Sequence, residues 1–338
     1  MKLLGAWDEN LMESQTKRSC IIIGGGGYIG RRWAGRLAST KRFDRIVLAD
    51  LERGDDALPP GAEFVVCDAR IPLAAQLPSL DPDWIFNFAA VHREPGHEAH
   101  AYFDTNLAGA RNAVDYATAT GCRNILFTSS IAVYGPTSGP TSETSPLYPV
   151  TPYGISKLCA ELIQDGWQQA GPGRRLLVCR PGVIYGPGDP GNILRMIRAV
   201  KRGYFLFPGR RSLRKSYGYI EGLLDSFEFA IDGGLARLTF NYVERETETL
   251  GRLVELIQDH FGRRVPTVSV PLPLLQAVAA LVQVATRGRS AVHPVRVRKA
   301  AVSTHIVPKT LGELGFDFRY DFNRSLKDWA ASSPEDFS

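Results

Sequence analysis

CIIIGGGGYIGRRWAGRLAST, Cys20–Thr40, decides the fold. Four residues suited to a buried strand run into a glycine cluster, and a helical pattern starts with no linker between. A short continuous apolar run, then glycines, then a helix reads as a strand covered on both faces that feeds a helix through a tight turn. Gly24, Gly27 and Gly30 fall at G-x-x-G-x-x-G spacing. A helix N-terminus carries free N–H groups and partial positive charge, and glycine lets a diphosphate come close enough to use them. Tyr28 and Ile29, inside the motif, are assigned to the same site.

Downstream, the rhythm repeats. RIVLAD (Arg45–Asp50), EFVVCD (Glu63–Asp68), DWIFNFAA (Asp83–Ala90), NILFTSS (Asn124–Ser130) and RRLLVCRP (Arg174–Pro181) are strand-like runs. The helical stretch Ala101–Thr120 ends at Gly121, a good stop. Strands alternating with helices predict an α/β, doubly wound parallel sheet of the Rossmann type. Past Gly186 the alternation loosens into a smaller, interleaved C-terminal substrate-binding region. The expected divisions are an N-terminal extension over 1–18, a dinucleotide domain over 19–186 and the substrate region over 187–338. A strand near 237–243 is expected to return to the main sheet.

Asp50 ends the second strand, twenty residues past Gly30. An acid there accepts from both ribose hydroxyls of NAD and repels the extra phosphate of NADP, so NAD is the expected cofactor. Arg31, Arg32 and Arg53 lie close enough in sequence to leave NADP open. Asp68 is placed to reach the adenine.

At 338 residues and net charge +5, the chain is large enough for a sizeable core and far from the polybasic signature of nucleic-acid binders. The longest apolar run, LLQAVAALVQVA (Leu274–Ala285), is too short to span a bilayer and reads as a helix of the C-terminal region. The five scattered cysteines contain no C-x-x-C pair, which argues against a zinc ribbon or a disulfide framework. A cytoplasmic protein with no integral membrane segment is expected, the acidic N-terminus being unlike an export signal.

YGISK, Tyr153–Lys157, places a phenol and an ammonium at i and i+4 on one helix face. A free phenol titrates near about 10; a cation one turn away favours the phenolate and makes it a usable base. The preceding strand ends FTSSIAVYG (Phe127–Gly135), bringing Ser129 and Ser130 to the carboxyl edge of the sheet, where open α/β folds bind ligands. A hydroxyl there can bond a reacting alcohol or ketone and relay its proton.

As a set, GGGGYIG, LAD, FNFAA, TNLAGARNAVDYA, FTSSIAVYG and TPYGISK, with RPGVIYGPGD and more weakly YGYIEGLLDSFEFA, resemble the extended short-chain dehydrogenase/reductase family, in its NAD-dependent epimerase/dehydratase branch of nucleotide-sugar enzymes. The resemblance covers most of the chain. It implies Ser130, Tyr153 and Lys157 as the catalytic set. It also implies Ala89 and Ala90 as small residues beside the cofactor, Asn106 as the helix asparagine near the active site, and Pro181 beside the nicotinamide. A nucleotide-diphosphate sugar is the implied substrate, and a homodimer paired partly through the Tyr/Lys helix the implied assembly.

Departures from the family narrow the reaction. Its 4,6-dehydratases carry an acid after the strand-end serine or threonine, where Ile131 and Ala132 stand here. Its 3,5-epimerising members carry a cysteine there, again missing. A 4-epimerase is the leading expectation. Val183 stands where epimerases commonly hold an asparagine, which keeps an NAD(P)-dependent reductase or dehydrogenase open. The acid-free, cation-rich stretch Leu194–Lys215 suits a diphosphate, with Arg214 best placed by resemblance. His92, His97 and His100 cluster with Glu94 and Glu98; no metal is expected there, and His92 is assigned to the substrate pocket.

Overall fold

The computed structural model describes residues 18–54, 57–78, 80–93, 96–137, 139–286 and 294–338. The expectations for the extension ahead of Arg18 lie outside the described residues.

Six strands occupy the first half: β1 (Ser19–Ile23), β2 (Arg45–Asp50), β3 (Ala62–Val66), β4 (Trp84–Asn87), β5 (Asn124–Thr128) and β6 (Arg175–Pro181). Three helices intervene, α1 (Tyr28–Ser39), α2 (Ala99–Thr120) and α3 (Pro152–Gln169). Then follow β7 (Val183–Tyr185), α4 (Asn192–Lys201), β8 (Phe205–Pro208), β9 (Tyr217–Tyr219), α5 (Ile220–Asp232), β10 (Arg237–Tyr242) and α6 (Leu250–His260). The chain finishes with β11 (Thr267–Val270), α7 (Leu272–Ala285), α8 (Pro294–Ala300), α9 (Lys309–Glu313) and α10 (Phe322–Ser332).

The central sheet has seven strands in the order β3-β2-β1-β4-β5-β6-β10. Every pairing in it is parallel. This is the doubly wound Rossmann-like sheet. β1 lies inside and all five of its residues are buried, whereas β3 is an edge whose Val66 is 71 % exposed. The order reverses direction between β1 and β4, opening a crevice at their carboxyl ends where such folds take ligands. Residues 237–242 pair with β6, Arg237 opposite Leu176.

Aromatic packing holds α1 to the sheet. The Trp33 indole meets Phe86 and Phe227 edge-on, with centroids 5.4 and 5.5 Å away, the favoured geometry for ring quadrupoles. Two small parallel pairs, β7 with β9 and β8 with β11, form separate sheets. All five cysteines are free thiols, four of them buried, behaving as small hydrophobes. Among the described residues no helix is long and apolar enough to cross a membrane.

Candidate active site

At the glycine turn, close backbone approach dictates the residue type. Gly24 has φ +82°, and a β-carbon there would stand 2.5 Å from Ala89 N. A β-carbon on Gly30 would stand 2.3 Å from Gly24 O. A side chain at Gly24 would force the turn after β1 away from the chain leaving β4, and one at Gly30 would force α1 away from that turn. Gly27 is the helix N-cap, in extended backbone with no side-chain cap. The first-turn amides around Tyr28 and Ile29 therefore start the helix without a side chain laid over them.

The Asp50 carboxylate accepts from Gly26 N at 3.0 Å and Leu51 N at 2.7 Å. Burial raises its pKa, and those backbone donors oppose the rise. Two hydrogen bonds leave accepting capacity on an ionised carboxylate. Asp68 lies past the end of β3 and receives a bidentate pair from Arg70, Nε to Oδ1 at 2.9 Å and Nη2 to Oδ2 at 2.6 Å. Those bonds hold its carboxyl below the usual range.

At the neighbouring strand ends, Ser129 Oγ and Asn87 Oδ1 are buried without a hydrogen-bond partner among the described residues. Buried polar atoms of this kind call for a partner. Together with the bare glycine turn they fit a polar dinucleotide.

Ser130, at the end of β5, caps a short 3₁₀ turn, Ile131–Tyr134, by accepting from Ala132 N at 3.1 Å. Helix α3 starts where its sequence says it should. Thr151 Oγ1 accepts from Gly154 N at 3.2 Å, and Pro152 opens the first turn. This start fixes Tyr153 in that first turn, with Lys157 one turn on. Gly154 lets the helix touch the serine turn: a β-carbon there would stand 2.6 Å from Ala132 O.

The Tyr153 ring lies 6.3 Å from that of Tyr102 on α2. Lys157 is 1 % exposed, with Nζ 4.2 Å from the centroid of the Phe127 ring. Burial pushes its amine down to about 7, against the opposing pull of Glu161. The sequence expectation of a full ammonium is thus tempered: burial holds this lysine between its two protonation states near neutrality.

Asn106 stands on α2 at 3 % exposure. Its Oδ1 accepts from Val91 N at 2.9 Å, and its Nδ2 donates to Ser156 Oγ at 2.8 Å and Val91 O at 3.2 Å. It ties the loop after β4 to α3. Ala90, in that loop, bonds through its backbone to His92. Burial, then the charges of Arg93 and Lys157, lower the His92 imidazole and favour its neutral form. Pro181 ends β6 in the buried sheet. Val183 follows it, 43 % exposed.

The arginine-rich stretch is largely committed within the fold. Arg198 Nε donates to Asp336 O at 3.1 Å and Lys201 Nζ to Phe337 O at 2.5 Å. Arg214 donates through its guanidinium to Thr247 O. No group of His, Cys, Asp and Glu suited to a metal occurs among the described residues.

Sequence reasoning missed what holds the edge in place. Arg180 on β6 donates Nε and Nη2 to Glu161 on α3, at 2.9 and 2.6 Å, and Nη1 to Tyr134 Oη at 3.0 Å. Tyr134 Oη donates to Asn241 Oδ1 at 2.7 Å, and Asn241 N donates to Glu143 Oε1 at 2.7 Å. One buried network thus joins α3, the serine turn, β6 and β10. The available signal was Glu161 at i+4 from Lys157.

Residues 20–241 match the NAD dependent epimerase/dehydratase family. A relative from Escherichia coli, N-acetyl-alpha-D-glucosaminyl-diphospho-ditrans,octacis-undecaprenol 4-epimerase, is 26 % identical over 311 residues, 90 % of this chain and 92 % of that protein. UDP-glucose 4-epimerase of Streptococcus mutans is 31 % identical over 180 residues, 51 % of this chain and 54 % of that protein. The solved structure of MoeE5 in complex with UDP-glucose and NAD superposes with a TM-score of 0.74 at 19 % identity, covering 95 % of this chain and all of that one. That last likeness is one of fold. The family match runs from β1 into β10: the chain belongs to the NAD dependent epimerase/dehydratase family, and NAD is its cofactor.

Proposed function

We propose that the protein is a 4-epimerase acting on a sugar carried by a diphosphate, with Ser130, Tyr153 and Lys157 as its catalytic residues. The supporting observation is the contact between the first turn of α3 and the Ser130 turn at the carboxyl edge of the sheet, made through Gly154. Relatives with this outline are named as epimerases of sugars on UDP or on a lipid diphosphate, and the diphosphate is what the two carriers share.

NAD, when bound, supplies the hydride acceptor that a transient oxidation of the sugar requires. The chain's own residues handle the proton. Tyr153 Oη takes it from the hydroxyl being oxidised and returns it after the keto-sugar has turned over, and Ser130 Oγ relays it. Lys157, in its charged form, favours the phenolate. Gly24, Gly27, Tyr28, Ile29, Gly30, Asp50, Asp68, Ala89, Ala90, Asn106, Ser129 and Pro181 form the cofactor side, Asn106 through its hold on α3. We assign His92 to the substrate side, and Arg214 with it through the guanidinium donors not engaged by Thr247 O. We assign substrate binding mainly to 187–338, and pairing of two copies to α2 and α3, where Leu162 is 63 % exposed.

The test is incubation of the purified protein with UDP-sugars and lipid-diphosphate sugars without added cofactor, watching for the 4-epimer. Tyr153→Phe should lower kcat by about 10²–10⁴-fold with NAD binding intact. Product formed only with stoichiometric NADH or NADPH would assign a reductase instead, the reading that Val183 favours. Full turnover in Tyr153→Phe would refute the catalytic assignment.

A further inference from the structure

Helix α7, LPLLQAVAALVQVA, has no charged residue. An apolar helix of fourteen residues in a soluble domain is expected to disappear into the core. Here only Ala279 is buried. Leu274, Val278, Leu281 and Val284 are 55, 47, 70 and 78 % exposed, and at 100° per residue they fall within one face of about 120°. The helix packs chiefly on α8. In the strand pair that precedes it, the register partners Val268 and Leu206 are also exposed, at 55 and 50 %. Exposed apolar side chains gathered on one helix face mark an interaction site.

The charge around this helix indicates the partner. From His260 to Gly312 the sequence contains no Asp or Glu, although the chain has 35 of them in 338 residues. Five cations, Arg287, Arg289, Arg296, Arg298 and Lys299, follow α7 directly. An uncharged helix in an acid-free, cation-rich stretch of sequence complements an anionic bilayer in charge, its apolar side chains suiting the acyl boundary. A second copy of this chain carries a net charge of +5 and so offers these cations no net opposite charge.

The chain leaving α8 then reaches the substrate edge. Lys215 donates to Val302 O, Arg214 N donates to Ser303 Oγ at 3.0 Å, and Ser216 N to Thr304 Oγ1 at 3.0 Å. Ile306 packs with Val133 and Tyr134 of the serine turn. The exposed helix is therefore tethered to the turn that Ser130 caps.

We propose that α7 lies in the interface of an anionic membrane, and that the diphosphate sugar epimerised is carried on a long-chain polyprenyl lipid held there. The substrate half rests on the epimerase reading of the active site; the docking half does not.

The experiment is flotation of the full chain with vesicles of phosphatidylglycerol and phosphatidylethanolamine, against pure phosphatidylcholine, with no sugar present. Binding should be at least about tenfold stronger to the anionic vesicles, should weaken with salt, and should fall by a similar factor in Leu281→Glu/Val284→Glu. Retained NAD binding and an unchanged circular dichroism spectrum would show that variant to be folded. In a second arm, wild type should epimerise polyprenyl-diphosphate N-acetylglucosamine in vesicles faster than UDP-N-acetylglucosamine, and the variant should lose only the former.

No flotation by wild type overturns docking, as does a variant that changes oligomeric state and leaves vesicle binding intact. Flotation with turnover of the UDP-sugar alone overturns the lipid substrate. Flotation with no epimerisation of either sugar leaves docking standing and overturns the epimerase reading.

Discussion

Arg180 donates two parallel hydrogen bonds to Glu161, one turn beyond Lys157, with both side chains at 7 % exposure or less. Such a fork is strong in geometry yet expensive to desolvate, so its value appears when one partner is removed. Glu161→Gln should lower the unfolding free energy by about 3–5 kcal/mol, read from urea denaturation. Replacing both members with apolar residues of similar volume should cost much less. Equal losses in the single and double variants would refute this account.

Burial pushes the Lys157 amine of the folded chain down to about 7, well below that of an exposed lysine. Below the folded value both states hold the proton. Between the two values only the unfolded chain does, so the lysine's contribution to stability rises with pH by at most about 1.4 kcal/mol per unit. Lys157→Met should remove that slope. The difference between the wild-type and variant stability curves, measured from pH 6 to about 10, should bend near 7; a flat difference would contradict it.

Gly154→Ala tests two opposed effects. Alanine within a helix is normally worth about 1 kcal/mol over glycine. Here its β-carbon would stand 2.6 Å from Ala132 O, a backbone atom with little freedom to yield. The contact should win. The variant should be less stable on thermal denaturation and lose kcat more than substrate affinity, because the serine turn and the tyrosine shift apart.

Asp50→Ala removes the acceptor for Gly26 N and Leu51 N together with the charge proposed to select NAD. NAD affinity should fall about tenfold or more, and the preference over NADP should shrink. Isothermal titration with both dinucleotides reads this directly. Unchanged discrimination would place the selecting charge elsewhere.

The sheet was legible because each strand of a doubly wound fold is a continuous apolar run, and glycines mark the turns at Gly24 and Gly121. The proposed proton-transfer set could be read for a related reason: Tyr153 and Lys157 are local in sequence, and helix geometry alone brings them to one face. Glu161, Arg180, Tyr134 and Asn241 could not be assembled that way, since their meeting depends on strand order across more than a hundred residues. The depressed lysine was hidden too, because i+4 spacing says nothing of Phe127 beneath it. In the cation-rich stretch, read as a ligand surface, two members, Arg198 and Lys201, serve carbonyls near the C-terminus that only the folded chain brings near. In α7 the apolar pattern predicted the helix correctly, while its exposure was not legible, because hydropathy does not reveal which neighbours are present.

The place of β10 has a consequence for biosynthesis. A nascent chain that has emerged only as far as β6 has an open sheet edge, its N–H and C=O groups unpaired until Arg237–Tyr242 arrives from the ribosome. Completing the sheet waits for a distant segment, which slows folding and prolongs the window for edge-to-edge association. Expression at reduced temperature or with chaperones should therefore raise the yield of this protein through its early half, even though the finished molecule covers that edge.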